Sequence, residues 1–159
     1  MNSPALTPSA PIDFDTLSSQ VSDLERRGSP AYEEARSKAI WNKRVDNVRS
    51  PDAVVRCASA REVAAAIRFA RENRLKVSLR GSGHSYHAAA LCDGGLLLDL
   101  GQLDFVEINV ENRRARVGPG ARGGDLVDAL AEQGLAFPIG HCASVAMGGF
   151  LLSGGIGWN

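Results

Sequence analysis

Two short stretches of this chain hold the residue types that binding chemistry requires. The first is Arg80-Gly81-Ser82-Gly83-His84-Ser85. Closely spaced glycines let successive backbone N–H groups turn toward one point and form a nest for an anion. Arg80 and the two serine hydroxyls add donors that suit a phosphate. The second stretch surrounds Cys142, running from Gly140 through Gly148-Gly149 to Gly154-Gly155-Ile156-Gly157. Six glycines in the last twenty residues bring backbone close to something flat or phosphate-bearing, or pack it tightly against itself. Taken singly, each stretch has an ordinary explanation. The first reads equally as a tight turn, a lone loop histidine is usually a surface residue, and a free cysteine is more often inert than reactive.

A third stretch, Gly118-Pro119-Gly120-Ala121-Arg122-Gly123, spells G-x-G-x-x-G between a strand and a helix. Its context excludes a dinucleotide fingerprint. Pro119 removes one amide from the phosphate cradle, and no Asp or Glu follows Glu132 to take a ribose hydroxyl.

The elements that must position these loops follow from periodicity. Leu17, Val21 and Leu24 share one face of a helix expected over 14–27, which Gly28 ends. Ser29-Pro30 then caps a second short helix through about Lys38. A strand is expected over Asp52–Cys57. Ser59-x-x-Glu62 is a capping box opening a helix to about Glu72, with Val63, Ala66, Ile67 and Ala70 toward the core. Strand Lys76–Arg80 delivers the first glycine loop. Leu96–Leu100 reads as a strand buried on both faces. Phe105–Val110 and Arg114–Val117 form a hairpin, Gly124–Gln133 a helix ended by Gly134, and Ala136–Ile139 a short strand. The Cys142 stretch is expected to remain a loop. Residues 1–12 read as a disordered leader, 13–46 as an N-terminal helical segment and 47–159 as the domain proper.

Composition narrows the function classes. The chain has 159 residues, room for one domain, and its 44% hydrophobic content supplies a core. Eighteen basic residues balance eighteen acidic ones and only 6% are aromatic, so no field or stacking platform for nucleic acid is expected. No signal peptide or membrane-length apolar run is present, and no membrane partner is expected. Cys57, Cys92 and Cys142 are an odd number without CxxC spacing, which argues against a disulfide framework or metal site and for a reduced, cytoplasmic setting.

Together the stretches carry a resemblance. Pro51-Asp-Ala-Val-Val55, Arg80-Gly-Ser-Gly-His84 and Cys142-x-x-Val145-x-x-Gly148-Gly149, ending in Gly154-Gly155-Ile156-Gly157, stand in a characteristic order, with His84 and Cys142 58 residues apart. Residues 42–159 resemble the PCMH-type FAD-binding domain of the vanillyl-alcohol oxidase superfamily, within it the berberine bridge enzyme-like branch. The resemblance implies an α+β fold of two small α/β subdomains flanking FAD, here expected to be incomplete at its C-terminus. It implies that His84 bonds the flavin 8α-methyl group and Cys142 bonds flavin C6. Residues 81–85, with Arg80, would wrap the pyrophosphate. Gly118, Gly120, Val145, Gly148, Gly149, Gly155 and Gly157 would complete the cofactor-binding set. Ser82, Ala146 and Ser153 stand where the family usually has glycine. The implied activity is hydride transfer from an alcohol-type, often sugar, or amine carbon of a small molecule to FAD. The family's substrate pocket and base lie in a later domain, so no residue of this chain is expected to be catalytic. A truncated, non-catalytic flavin-binding module, or a fragment without function, stays open as an alternative.

Overall fold

The computed structural model describes residues 12–45 and 49–156. The leader expected over 1–12 therefore falls outside the described residues except for Ile12, which packs against the core. Two mixed α/β lobes follow one another along the chain, as the α+β expectation required.

The first lobe is a four-stranded sheet in the order β1-β2-β4-β3. Strands β2 (Ala53–Arg56), β4 (Leu96–Asp99) and β3 (Val77–Arg80) are parallel, and β1 (Leu24–Arg26) lies antiparallel on β2 with Leu24 opposite Val55. Leu96, Leu97 and Leu98 are fully buried. Side chains alternate across a strand, so Leu96 and Leu98 join Val55, Phe69 and Leu17 on one face while Leu97 joins Val54, Tyr32 and Ile40 on the other. That is the both-faces burial the apolar run implied.

Helix α3 (Ala60–Glu72) covers the first face. Ser59 caps it by accepting the Glu62 N–H at 3.2 Å, and the Glu62 carboxylate reaches back to the Ala58 N–H at 3.1 Å. The core stripe is rotated from the expected one: Ala65, Ala66, Phe69 and Ala70 are buried, whereas Ile67 is 48% exposed. The large Phe69 ring decides the rotation, since it fills the space against Phe14 at a centroid distance of 5.7 Å.

The helix expected over 14–27 is a correction. Only α1 (Asp15–Ser18) is helical, and Leu24–Arg26 becomes strand β1. Ser19 Oγ and Gln20 Nε2 both donate to the Thr16 carbonyl, at 2.9 and 3.1 Å, and so end the helix from within. Leu17, Val21 and Leu24 still reach the same core cluster. Helix α2 (Tyr32–Lys38) ends where expected but begins at Tyr32, because the Ser29 hydroxyl is engaged with Glu25 at 2.7 Å and caps nothing.

The second lobe pairs the hairpin β5 (Val106–Asn109) and β6 (Arg114–Val117) with α4 (Gly123–Ala131) and α5 (Met147–Ser153) around Leu126, Leu130 and Met147. Two expectations fail here. Residues 136–139 form no strand, since Pro138 lacks an amide donor and no neighbouring strand is offered. Residues 147–153, expected as loop, are helical, anchored by the buried Met147 and by the Gly148 N–H donating to the Pro119 carbonyl at 3.1 Å.

Candidate cofactor site

Strand β3 is a sheet edge, and its carboxyl end launches residues 81–85 toward the second lobe. Arg80, the last strand residue, is not free for a ligand with its whole guanidinium. Its Nη1 donates to both carboxylate oxygens of Asp99, at 2.8 and 3.0 Å. Its Nε is buried and has no hydrogen-bond partner among the described residues, leaving one donor unsatisfied beside the loop.

Gly83 has φ +75° and lies so near the segment before it that a Cβ would come within 2.3 Å of the Ala39 carbonyl oxygen. Residues 39–42 grip the loop through that contact. Trp41 N–H donates to the Gly83 carbonyl at 3.3 Å and Trp41 Nε1 to the His84 carbonyl at 2.9 Å. Asn42 Nδ2 donates to the Tyr86 carbonyl at 2.8 Å, and the Trp41 and Tyr86 rings meet edge to face at 5.2 Å.

The His84 imidazole spans the two lobes. Its Nδ1 lies 3.0 Å from Ser82 Oγ and its Nε2 lies 3.0 Å from Ser144 Oγ. Ser82 Oγ also accepts the Ala146 N–H at 2.7 Å. Ser82 and Ala146 are thus in direct contact.

Three hollows share His84 as a wall. One, about 250 Å³, is polar and lined by Arg56, Arg80, Ser82, Asp99, Arg122 and Ser144. A second, about 460 Å³, runs along the backbone of 79–85 and faces Val145, Gly149, Phe150 and Ser153. A third, about 270 Å³, is apolar and lined by Cys142, Ile139, Val145, Phe150 and Gly155. An elongated trough results, polar at one end and apolar at the other. Such a division suits a ligand with a phosphate-bearing part and a flat ring system. The unsatisfied Arg80 Nε at the polar end, and open space at Gly149, fit an anion and a close-lying ligand.

Most of the residues singled out in the sequence converge on this trough. Arg80, Gly81, Ser82, Gly83, His84, Ser85, Gly120, Cys142, Val145, Gly149 and Gly155 line one hollow or more. Gly118 and Gly148 line none of the three. A Cβ on Gly118 would lie 1.9 Å from the Leu103 carbonyl oxygen, and Gly148 packs on Pro119. Gly157 is outside the described residues. Cys142 is exposed, Cys92 half-buried and Cys57 buried. Burial, reinforced by the Glu62 and Asp99 carboxylates, pushes the Cys57 thiol up to about 12. Tyr32 is likewise structural: its buried hydroxyl donates to the Pro51 carbonyl at 2.6 Å, and burial raises it above the ordinary phenol value despite Arg27.

Ser144, Trp41, Asn42, Arg56 and Arg122 were not singled out in the sequence. The only signal for Ser144 was its place two residues after Cys142. Among the described residues no cluster of His, Cys, Asp or Glu could hold a metal ion, and no helix is long and apolar enough to cross a membrane.

Comparison with known proteins agrees with this geometry. A family model described as an FAD binding domain matches residues 51–159. The chain is 39% identical over 119 residues to (R)-6-hydroxynicotine oxidase of Paenarthrobacter nicotinovorans, covering 75% of this chain and 26% of that protein. The crystal structure of 6-hydroxy-D-nicotine oxidase from Arthrobacter nicotinovorans superposes with a TM-score of 0.76 at 32% identity, over 94% of this chain and 31% of that one. The wild-type berberine bridge enzyme-like protein 1 of Physcomitrella patens gives 0.76 at 29% identity, over 90% and 30%. The chain therefore spans about a quarter to a third of the length of these relatives. With the trough and the matched region coinciding, the chain belongs to the FAD-binding domain family of the FAD-linked, berberine bridge enzyme-like oxidoreductases.

Proposed function

We propose that the trough around His84 holds FAD, that His84 and Cys142 are its two covalent anchors, and that the whole protein oxidises a small molecule at an alcohol, sugar or amine carbon. One observation carries the reading: His84 and Cys142, from different lobes, line the same apolar hollow of about 270 Å³. The polar hollow beside it, with Arg56, Arg122 and the unsatisfied Arg80 donor, offers the complementary place for the pyrophosphate.

When bound, FAD supplies the two-electron chemistry, taking a hydride from the substrate carbon. The residues of this chain bind and orient. Arg80, held by Asp99, fixes the start of the 81–85 loop; Trp41 and Asn42 fix its far side. Cys142, exposed, and His84 stand together in the wall of the apolar hollow. The substrate class is supported by the relatives. One is named for hydroxynicotine, and a substituted variant of Phl p 4, 25% identical, is described as a glucose oxidase.

The test is expression with FAD, denaturation in acid, and measurement of retained flavin by absorbance and intact mass. The expected result is one FAD per chain, kept when either His84 or Cys142 alone is replaced by alanine and released when both are. A folded, soluble chain that retains no flavin after acid would overturn the covalent reading. One that also binds no flavin before acid would overturn the FAD site.

A further inference from the structure

The contacts of Ser82 assign a role to its hydroxyl that goes beyond loop structure. Ser82 Oγ accepts the Ala146 N–H at 2.7 Å, which occupies one of its two lone pairs and fixes the direction from which the oxygen is approached. The hydroxyl proton then needs an acceptor. Among the described residues the remaining partner is His84 Nδ1, at 3.0 Å. The site is half-buried, so leaving that proton without an acceptor is unfavourable. With Nδ1 accepting, the neutral ring carries its proton on Nε2, and Nε2 points at Ser144 Oγ, 3.0 Å away, as a donor.

We propose that Ser82 is a positioning residue for His84: tethered by the Ala146 backbone, it holds the imidazole in one orientation and in the single tautomer with the proton on Nε2, so that this edge of the ring faces the Ser144 side of the trough. The inference rests on the reading of His84 as a cofactor anchor for its functional meaning, though the tautomer itself is a property of the chain alone. Ser144 is the receiving end and does not dictate the choice, because its exposed hydroxyl has alternative hydrogen-bond partners in water. The dependence on Ser82 explains how a side chain can be accommodated where a glycine would do: the hydroxyl replaces a loose histidine with an oriented one.

The experiment is a long-range proton–nitrogen NMR correlation spectrum of the ¹⁵N-histidine-labelled chain without flavin, above the pH at which its histidines are neutral. The wild type should show a pyridine-like Nδ1 and a pyrrole-like Nε2 at His84. Ser82→Ala should give averaged shifts from two exchanging tautomers, Ser82→Thr should restore the single pattern, and Ser144→Ala should leave it unchanged. A pyrrole-like Nδ1 in the wild type overturns the proposal, and so does an unaltered pattern in Ser82→Ala or a switched one in Ser144→Ala. Should Ser82→Ala not fold, the wild-type and Ser144→Ala spectra still decide. Flavin retention after acid, measured on separate preparations of the same variants expressed with FAD, is a second readout. A correct tautomer with no flavin bound breaks the cofactor reading alone; bound flavin with the wrong tautomer breaks this inference alone.

Discussion

Arg80 and Asp99 are register partners on adjacent parallel strands and also an ion pair, with one guanidinium nitrogen 2.8 and 3.0 Å from the two carboxylate oxygens. Asp99 Oδ1 further accepts the Gly101 N–H at 2.9 Å. The pair closes the carboxyl end of the sheet at the point where the 81–85 loop departs. With side chains only 21% and 17% exposed, the ions are shielded enough for the loss of one partner to matter.

Asp99→Asn should therefore destabilise the chain by about 2 kcal/mol, since it leaves the Arg80 charge uncompensated while keeping the shape. Urea unfolding followed by circular dichroism reads this directly. An unchanged midpoint would show that the pair is replaceable by solvent.

The two glycines Gly83 and Gly149 separate folding from binding. Gly83→Ala puts a Cβ 2.3 Å from a backbone carbonyl in a left-handed conformation and should cost about 2 kcal/mol or more. Gly149→Ala meets nothing within 4 Å and lies inside α5, so it should gain about 0.5–1 kcal/mol. Because Gly149 lines the trough, the same variant should bind FAD more weakly. Thermal melts and flavin fluorescence quenching check both halves.

Trp41→Phe keeps an aromatic ring against Tyr86 but loses the donor to the His84 carbonyl. A stability loss of about 0.5–1 kcal/mol is expected, together with faster amide hydrogen exchange across residues 83–86. Exchange rates indistinguishable from wild type would remove Trp41 from the set of loop supports.

Cys57 makes stability depend on alkaline pH. Its thiol is fully buried and its folded-state pKa is raised from an ordinary value of 9.0 to about 12. The folded chain keeps the proton while the unfolded chain releases it, so the contribution is complete below pH 9 and declines as pH climbs toward 12. The stability advantage of wild type over Cys57→Ala should shrink by about 2 kcal/mol between about pH 8 and about pH 10.5. In the native chain at neutral pH a thiol reagent should modify Cys142 first and leave Cys57 untouched.

The parts legible in the sequence were those governed by local pattern. The Leu96–Leu100 run and the Ser59 capping box each depend on near neighbours, and the structure places them as expected. What was not legible depends on distant partners. Leu24–Arg26 carries helical spacing yet becomes a strand because the free edge of β2 is available to it. Ile67 loses its core place to Phe69 because Phe14 lies opposite. Ser144 and Trp41 reach His84 across 60 and 43 residues, separations at which spacing carries no information.

The segment that grips the 81–85 loop precedes the region matched by the family model, which begins at residue 51. Tyr32, Ala35, Ala39 and Ile40 are four of the nine residues in the core cluster behind Leu97, and β1 covers the outer edge of β2. A polypeptide begun at Pro51 would retain every matched position and yet bare one face of its central strand. The stretch that the family model matches is here smaller than the unit that packs together, and it is the residues ahead of that stretch that hold the His84 loop in place.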